Sequence, residues 1–516
     1  MSNTQALIIG AGPTGMTAAI ELRRAGLDVR IVDKSTHLAR WSQALVVQAR
    51  TLEQFQRYGI AKTAIERGRQ LTGARAFSEG KQIVHFTFEQ VPSRYPYLLF
   101  LPQSETEAIL NQHMESLGAK TERGVELVSL NPHQDHVQAR LSGRDGREEE
   151  IEARWVLGCD GAHSRVRELC GIPFEGQGVN LHFFLGDMEI EGADKPTHEL
   201  LLHLHNGDVV FTARLTEKLT RVIVARHVDA EVGDDATAPD RQLSVQDFQK
   251  AVDEAGVRIR ILRSEWMTPF HVNDRQAEHY RAGNIFLAGD ASHIHSPVAG
   301  QGMNTGIQDV ANLCWKIAAV ERGSDPPDLL LDSYEAERAE VGRALLAKTE
   351  RALKLVTSAS PLTAGVRDLL APHVTEISAV QRAISGFISE TAIDYRSSTV
   401  VSDHGGDGHL RAGDRLPDLA LSNQGSGHST LLGRWTSGRH LCVVLNAGNE
   451  LISALKGSLP HVDVLALSST DLDQNGRRLL GEEPLLLIVR PDGYIGFRGS
   501  PTASDQWRAY ARQDAL

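Results

Sequence analysis

The segment Gly10-Ala11-Gly12-Pro13-Thr14-Gly15 decides how the first part of this chain folds. It lies between the apolar run 6–9 and a helical pattern that continues to residue 24, the order strand, glycine turn, helix. Three glycines at this spacing allow a tight turn and the close approach of a diphosphate, which the N–H groups of the helix start attract. We therefore predict dinucleotide contacts at Gly10, Gly12, Pro13, Thr14 and Gly15.

Asp33 supports this interpretation because it ends the second predicted strand. In dinucleotide-binding folds an acidic residue about 20 positions after the glycines accepts a ribose hydroxyl. The glycine motif alone is also compatible with a plain structural turn. With the two flanking strands, the helix and Asp33 in place, nucleotide binding is the favoured interpretation.

A second glycine-bearing segment, Gly289-Asp290-Ala291-Ser292-His293, lies far downstream and continues to Asn304. Asp290 follows a predicted strand, so its carboxylate can reach the hydroxyl groups of a ligand; the alternative is a helix-capping aspartate. The glycines further on let the backbone approach a flat ring, and the next helix points its positive dipole end at that ring. A dinucleotide held at both ends in one domain favours FAD over a nicotinamide cofactor that binds and leaves. The predicted contacts are Asp290, Pro297, Gly300, Gln301, Gly302, Met303 and Asn304.

Composition limits the class of protein. The 516 residues predict about three domains. The net charge of −12 argues against a nucleic-acid surface, and no apolar stretch approaches the roughly 18 residues of a membrane span. The first strand begins so early that we expect no signal peptide, and four scattered cysteines without a CxxC pair fit a reducing cytosol. We expect a cytoplasmic protein without nucleic-acid or membrane partners.

The pattern along the chain predicts an α/β protein. A nucleotide-binding domain is expected over 1–173 and 270–400, the latter including a helical extension. A largely antiparallel sheet is expected over 174–269, where Asn206-Gly207 is a type I′ hairpin signal. The polar, glycine-rich stretch 402–413 is the predicted linker to a third domain over 410–516, in which Asp492-Gly493 turns a second hairpin.

Three segments together resemble the fingerprints of the class A flavoprotein aromatic hydroxylases, the group that contains p-hydroxybenzoate, phenol and polyketide hydroxylases. Two are the glycine segments above, and the third is Cys159-Asp160-Gly161-Ala162-His163-Ser164-Arg165-Val166-Arg167. The resemblance implies a Rossmann-type FAD domain in which Asp160 and Gly161 contact FAD and the transient NAD(P)H path. It also implies that Gln103 binds the FAD phosphate or ribose region. One departure is Gln43, where family members often carry an arginine that positions the flavin; Arg40 is a candidate substitute.

The third domain resembles the thioredoxin-like tail of the phenol and polyketide hydroxylases. The resemblance rests on Ala412-Gly413-Asp414-Arg415-Leu416-Pro417-Asp418 and Val489-Arg490-Pro491-Asp492-Gly493-Tyr494. Redox activity would require two nearby cysteines, and only Cys442 lies in this domain. We therefore expect a packing role, or a role in forming a homodimer.

The activity implied by the resemblance is aromatic hydroxylation. NADH or NADPH reduces FAD, O2 adds to form a C4a-hydroperoxyflavin, and one oxygen passes to a phenolic, polycyclic aromatic or enolic substrate. Two alternatives stay open: a Baeyer–Villiger oxygenase on the same scaffold, and a flavin redox sensor without turnover. The sequence identifies no catalytic residue.

Candidate substrate-pocket residues come mainly from the predicted sheet. The histidines at 203, 205, 293 and 295 also raise the question of a metal, but no cysteine or acidic cluster completes a ligand set, so we predict none. The predicted pocket residues are His203, His205, Phe211, Arg214, Phe270 and Pro297.

Overall fold

The amino-terminal strand Ser2–Ile9 lies inside a largely parallel sheet. The computed structural model describes residues 2–38, 44–227, 244–295, 300–358, 360, 365, 367–371, 377–421, 430–435, 438–514 and 516, with backbone alone at 2, 177, 179, 180, 182 and 270–273. The strand pairs in parallel on both sides, and its apolar residues 6–8 are fully buried, as expected for a strand covered on both faces. The strand order is Arg281–Ala282, Ile285–Leu287, Glu148–Gly158, Ser2–Ile9, Val29–Asp33, Thr121–Arg123. Two further strands branch from this order: Val137–Ser142 pairs with Glu148–Gly158, and Glu126–Pro132 pairs with Val137–Ser142.

The register of this sheet brings its functional loops to one edge. Ile9 is level with Val32 on one side and with Gly158 on the other, and Gly158 is level with Leu287. The segments that begin at residues 10, 159 and 288 therefore all leave the carboxyl edge of the sheet, where α/β proteins bind their ligands.

Two helices cover one face of this sheet at close range. The helix Pro13–Arg24 follows the glycine turn, and its small residues Ala18 and Ala19 are fully buried. It packs against Gly302–Glu321, the central helix, of which nearly every residue is buried. The other α-helices described before residue 402 are Ala49–Tyr58, Ala61–Arg67, Gln103–Ser116, Arg165–Leu169, Val245–Glu254, Pro327–Val356 and Ser378–Ile388.

A second, mainly antiparallel sheet has eight strands. The Asn206-Gly207 turn is confirmed: His205 pairs with Asp208, and both turn residues have positive φ. The sheet extends beyond the predicted range 174–269, since one strand crosses residue 270 and an early hairpin supplies two edge strands. The order is His293–Ile294, Ile259–Ala277, Phe174–Gly192, Leu219–His227, Asp208–Arg214, Glu199–His205, Gly73–Ser78 and Lys81–Thr87. The early hairpin joins by parallel pairing with Glu199–His205, a long-range contact that local sequence does not signal.

Residues 402–516, the tail, are built on a five-stranded mixed sheet. The predicted linker is part of this structure: Ser402–Asp403 forms an edge strand, and Leu410 and Ala412 lie in the tail core. The Asp492-Gly493 hairpin is confirmed, with a hydrogen bond of 2.8 Å from Arg490 N to Tyr494 O. The strand order is Ser402–Asp403, Ile495–Gly499, Leu485–Val489, His440–Leu445, Val462–Leu467, with helices Asn449–Ser458, Gln474–Leu480 and Ser504–Gln513. A short three-stranded sheet elsewhere joins Val46–Val47, Leu98–Phe100 and Arg69–Leu71.

A buried ionic cluster fastens the tail to the central helix. Arg490 binds both carboxylate oxygens of Glu337, at 2.7 and 2.9 Å, and Lys316 binds Glu337 at 2.9 Å. Asn312 donates to both Glu337 and Asp492, across the boundary. Burial by itself raises the pKa of Glu337, but Arg490 and Lys316 outweigh it and hold that pKa well below its ordinary range. The carboxylate is therefore ionised and fully paired.

Replacing Arg490 by Met is expected to destabilise the protein strongly. Glu337 would keep a buried charge with one of its two cations removed, which typically costs about 3–5 kcal/mol. Urea unfolding of purified protein measures this loss. As a control, Arg263→Met removes an exposed partner of Glu189 and is expected to change stability little. Equal stability of Arg490→Met and wild type would contradict the assigned role of the cluster.

Candidate cofactor site

The glycine turn packs directly against the loop that follows Glu148–Gly158. A Cβ atom on Gly10 would overlap the carbonyl oxygen of Cys159, and one on Gly15 would overlap the carbonyl oxygen of Gly10. Gly10 also has φ of +97°, in the region that favours glycine. Both glycines are therefore required by the protein's own backbone.

Gly12 is different, because a Cβ atom there would meet nothing within 4 Å. Its backbone is extended, and it is the N-cap of the helix Pro13–Arg24, whose first N–H groups lack intrahelical partners. Open space beside a helix start without a capping side chain fits the phosphates of a dinucleotide. The protein itself therefore places no steric demand for glycine at position 12.

Asp33 braces the glycine turn from the neighbouring strand. Its Oδ2 accepts a hydrogen bond of 2.6 Å from Ala11 N, and its Oδ1 accepts one of 2.7 Å from Ser35 N. A carboxylate has further lone pairs beyond these two bonds. Contact with a ribose hydroxyl stays a prediction, now joined by a structural role.

Thr14 links the two glycine segments. A Cβ on Gly289 would lie 2.7 Å from Thr14 Oγ1, and a Cβ on Gly306 would lie 2.5 Å from the same atom. Gly289 also has φ of +62°. The start of the first helix, the 3-10 turn Gly289–Ala291 and the central helix thus meet with no room for further side chains.

Asp290 projects from this junction with an exposed side chain. It accepts no hydrogen bond from any residue that the structure describes. Desolvation by the surrounding protein raises its pKa, against the opposing effect of His293 and with a smaller contribution from Asp309. An accessible carboxylate enclosed by protein, without an internal partner, is suited to ligand hydroxyl groups.

The loop at Asp160 is fixed by its own hydrogen bonds and by Arg167. Asp160 Oδ2 accepts from Arg165 N at 2.6 Å and from Val166 N at 3.1 Å. Arg167 donates to Ala162 O and to Ala291 O, at 3.0 and 2.9 Å. It therefore joins the Asp160 loop to the Asp290 turn, a role that the sequence did not suggest. Within the Asp160 loop, Gly161 has φ of +81° and turns the backbone between Asp160 and Ala162.

Two of the predicted contact residues at the start of the central helix, Gln301 and Asn304, hydrogen-bond to backbone groups of the protein. Asn304 Nδ2 donates to Val46 O and Gly300 O, and its Oδ1 accepts from Gln48 N. Gln301 Nε2 donates to Phe387 O at 2.9 Å, while its Oε1 is buried without a partner among the described residues. An orphaned acceptor here suits a ligand with N–H donors. Met303 is partly buried against the main apolar core, and Pro297 lies outside the described residues.

Gln103 also acts within the protein. Its Oε1 accepts a hydrogen bond of 3.2 Å from Ala44 N, and its backbone N–H donates to Ala44 O at 3.1 Å. It thereby holds the segment that leads to Val46, whose carbonyl oxygen accepts a hydrogen bond from Asn304. Arg40 and Gln43, the positions of the family departure, lie outside the described residues.

The pocket candidates divide between the two faces of the second sheet. Cross-strand partners share a face, and neighbours along a strand alternate. Phe211 is opposite Leu202, whereas His203 is opposite Val210, so His203 and Phe211 face opposite ways. Phe211 packs toward the main apolar core, and Val210 packs beneath the helix Val245–Glu254.

His203, His205 and Arg214 all lie on the face away from the main core. His203 stacks on Phe77 at 4.9 Å, and burial lowers its pKa. Arg214 is bound to its own hairpin turn through Thr216 O and Glu217. These three residues have structural partners there, and of the sheet candidates with a described side chain only Phe211 faces the main core. The side chain of Phe270 lies outside the described part of the structure.

A buried group behind the site went unnoticed in the sequence. Asp309 accepts from Gly289 N at 3.0 Å and from Arg338 Nε at 2.7 Å, and it pairs with His293 Nε2 at 2.7 Å. Burial by itself raises the pKa of Asp309, but His293 and Arg338 outweigh it and hold that pKa low. An aspartate within the apolar stretch 307–320 was the available signal.

Comparison with known proteins identifies the family. The family described as "FAD binding domain" matches residues 3–349, and the one described as "Aromatic-ring hydroxylase, C-terminal" matches residues 409–514. The chain belongs to the FAD-dependent aromatic-ring hydroxylases. It is an FAD-dependent aromatic monooxygenase, and NAD(P)H is the typical co-substrate of the class.

Individual relatives cover almost the whole chain. The 6-methylpretetramide 4-monooxygenase of Streptomyces rimosus is 33% identical over 96% of this chain and 90% of its own. The pentachlorophenol 4-monooxygenase of Sphingobium chlorophenolicum is 33% identical over 81% of this chain and 76% of its own. The structure of an anhydrotetracycline hydroxylase from Streptomyces rimosus matches with a TM-score of 0.81, 30% identity and 99% coverage of both chains. These matches do not favour the Baeyer–Villiger or redox-sensor alternatives.

Within the described ranges, no helix is long and apolar enough to cross a membrane. The same ranges contain no group of three or more His, Cys, Asp or Glu residues placed to hold a metal ion.

Gly12→Ala and Gly15→Ala are expected to have different effects, the first on FAD binding and the second on the stability of the fold. The methyl group at position 12 enters open space, so the apoprotein should keep its thermal stability while FAD affinity falls at least tenfold. The methyl group at position 15 overlaps backbone, so the apoprotein itself should be destabilised. Differential scanning fluorimetry of apoprotein and fluorescence titration with FAD measure the two effects. Unchanged FAD affinity in Gly12→Ala would contradict placement of the diphosphate at this turn.

Proposed function

We propose that this protein hydroxylates a phenolic or enolic ring of a polycyclic aromatic substrate, using FAD, NAD(P)H and O2. The observation that carries the proposal is the convergence of three cofactor loops on one sheet edge, beside an accessible carboxylate without an internal partner. The substrate class rests on the relatives, two named for 6-methylpretetramide and anhydrotetracycline and one for pentachlorophenol. The polycyclic class is preferred because those two relatives match nearly the full chain.

The proposed FAD site follows the loops in order. The diphosphate lies against the glycine turn and the helix start, Asp33 takes a ribose hydroxyl, and Asp290 takes hydroxyls of the ribityl chain. The start of the central helix faces the ring, where its dipole favours negative charge. When bound, FAD supplies the oxygen chemistry, and the protein positions the reactants and excludes water. The proposed contacts are Gly10, Gly12, Pro13, Thr14, Gly15, Asp33, Gln103, Asp160, Gly161, Asp290, Pro297, Gly300, Gln301, Gly302, Met303 and Asn304.

The proposed division of labour follows the sheets. Residues 1–173 and 270–400 bind FAD, residues 174–269 with the hairpin 73–87 cover the substrate, and residues 410–516 form a thioredoxin-like tail without CxxC. The substrate is proposed to lie on the sheet face that carries Phe211, near Met303, because both side chains are only partly buried against the main core. A cytoplasmic location and a homodimer are kept as predictions from composition and family resemblance.

Asp290→Ala is expected to produce protein depleted of flavin. Losing hydrogen bonds that hydroxyl groups donate to a charged acceptor costs about 1.5–3 kcal/mol, which weakens FAD binding about ten- to a hundredfold. The absorbance ratio of purified protein and titration of the apoprotein with FAD measure this change. Asp28→Ala, at an exposed aspartate just before the strand Val29–Asp33, serves as the matched control. A fully yellow Asp290→Ala protein with normal FAD affinity would overturn this placement.

Substrate is expected to accelerate flavin reduction. Stopped-flow reduction by NADH and NADPH, measured across a panel of phenols and polycyclic polyketides, should show marked acceleration with one compound class. Product analysis under isotopically labelled O2 should then show one labelled hydroxyl on the ring. Label in a new ester would instead indicate Baeyer–Villiger oxygenation, and slow reduction insensitive to every compound would favour the redox sensor.

A further inference from the structure

The segment 387–390 packs behind the start of the central helix. Phe387 O accepts from Gln301 Nε2 at 2.9 Å, and Ser389 O accepts from Arg50 N at 3.3 Å. The carboxyl group of Glu390 accepts from Thr305 Oγ1 at 3.0 Å and from Gln308 Nε2. The first two turns of the helix are therefore hydrogen-bonded to this segment.

Glu390 is unusual in two respects. Its side chain is buried, at 3% exposure, although it carries a carboxyl group. Its backbone has φ of +58°, a conformation that non-glycine residues adopt rarely and at a cost of about 1–3 kcal/mol. A buried acid held on a strained backbone requires support from its surroundings, and the central helix supplies it.

The cation nearest to Glu390 forms its hydrogen bonds with other groups. Arg338 lies near it on the helix Pro327–Val356, but its guanidinium binds Asp309, Tyr395 and Thr305 O. Asp309, on the central helix, adds a repulsive charge. Burial consequently raises the pKa of Glu390 to about 8, against the opposing effects of Thr305, Arg338 and Gln308. The carboxyl group is thus mostly neutral at pH 7.

We propose that Glu390 is a positioning residue for the flavin, which holds the first turns of the central helix and sets, by its own charge, the field that the helix start applies to the ring. The proposal rests on the FAD site proposed above. A neutral Glu390 leaves the positive end of the helix dipole available to an anionic reduced flavin. An ionised Glu390 places a negative charge within two helical turns of that end and weakens the field.

The sign of the pH effect follows from this arrangement. Raising the pH through 8 ionises Glu390, so reduced FAD should lose affinity relative to oxidised FAD. One elementary charge acting over roughly 10 Å of protein interior changes this affinity ratio about tenfold. In the apoprotein the same group lowers stability as pH rises from its ordinary ionisation range through 8, because the unfolded chain ionises earlier.

The experiment compares wild type, Glu390→Gln and Asp514→Asn. Asp514 is a fully buried carboxylate in the tail, so its replacement controls for the loss of any buried acid. Spectroelectrochemical titration of bound FAD between pH 7 and 9 gives the ratio of reduced to oxidised affinity. Wild type and Asp514→Asn should show the additional tenfold change near pH 8, and Glu390→Gln should lack it. The same change persisting in Glu390→Gln would overturn the proposal.

Two further measurements keep the outcome decisive. If Glu390→Gln does not fold, Thr305→Val replaces it: loss of a hydroxyl that favours the ionised carboxylate should move the midpoint above pH 8, and an unmoved midpoint would refute the proposal. Thermal unfolding of apoprotein across the same pH range tests the buried acid without FAD. If instead the proposed FAD site were wrong, Asp290→Ala would bind FAD with normal affinity. The two failures can therefore be told apart.

Discussion

The site depends on one close packing contact, between the start of the first helix and the central helix. Thr14 fills the space that Gly289 and Gly306 leave open, and Gly10 and Gly15 bring the glycine turn onto the next loop with no room for a methyl group. Protein interiors are dense, so such a junction has little freedom to shift. Loops separated by nearly the whole nucleotide-binding region are therefore held at fixed positions around one edge of the sheet.

The carboxylates around this junction fall into two groups. Asp309 and Glu337 are matched by cations, and their pKa values lie low because Arg338, Arg490 and Lys316 outweigh the effect of burial. Asp290 and Glu390 form no ion pair with a described residue, and desolvation by the surrounding protein raises their pKa values against the opposing effects of His293 and Arg338. The first group fastens helices and tail together. The second group lies beside the start of the central helix, where its charge would act on the flavin in the proposed site.

Sequence reasoning predicted correctly the turns whose signal lies in consecutive residues. The glycine turn, the Asn206-Gly207 hairpin and the Asp492-Gly493 hairpin follow from residues within a few positions of each other. The hairpin Gly73–Ser78 with Lys81–Thr87 joins the second sheet through a parallel partner more than a hundred residues away, which local sequence does not signal. The supposed linker 402–413 belongs to the tail for a similar reason, since its edge strand pairs with Ile495–Gly499.

The sequence by itself determined the cofactor class and identified the loops that we propose surround FAD, because glycine spacing and strand-to-helix order are given by consecutive residues. Only the tertiary structure decided what each side chain does. It turned Asn304, Gln301 and Gln103 toward backbone groups, separated His203 from Phe211 by the alternation of a strand, and placed Glu390 behind the central helix. Direction and burial arise from contacts between distant segments, and no local pattern encodes them.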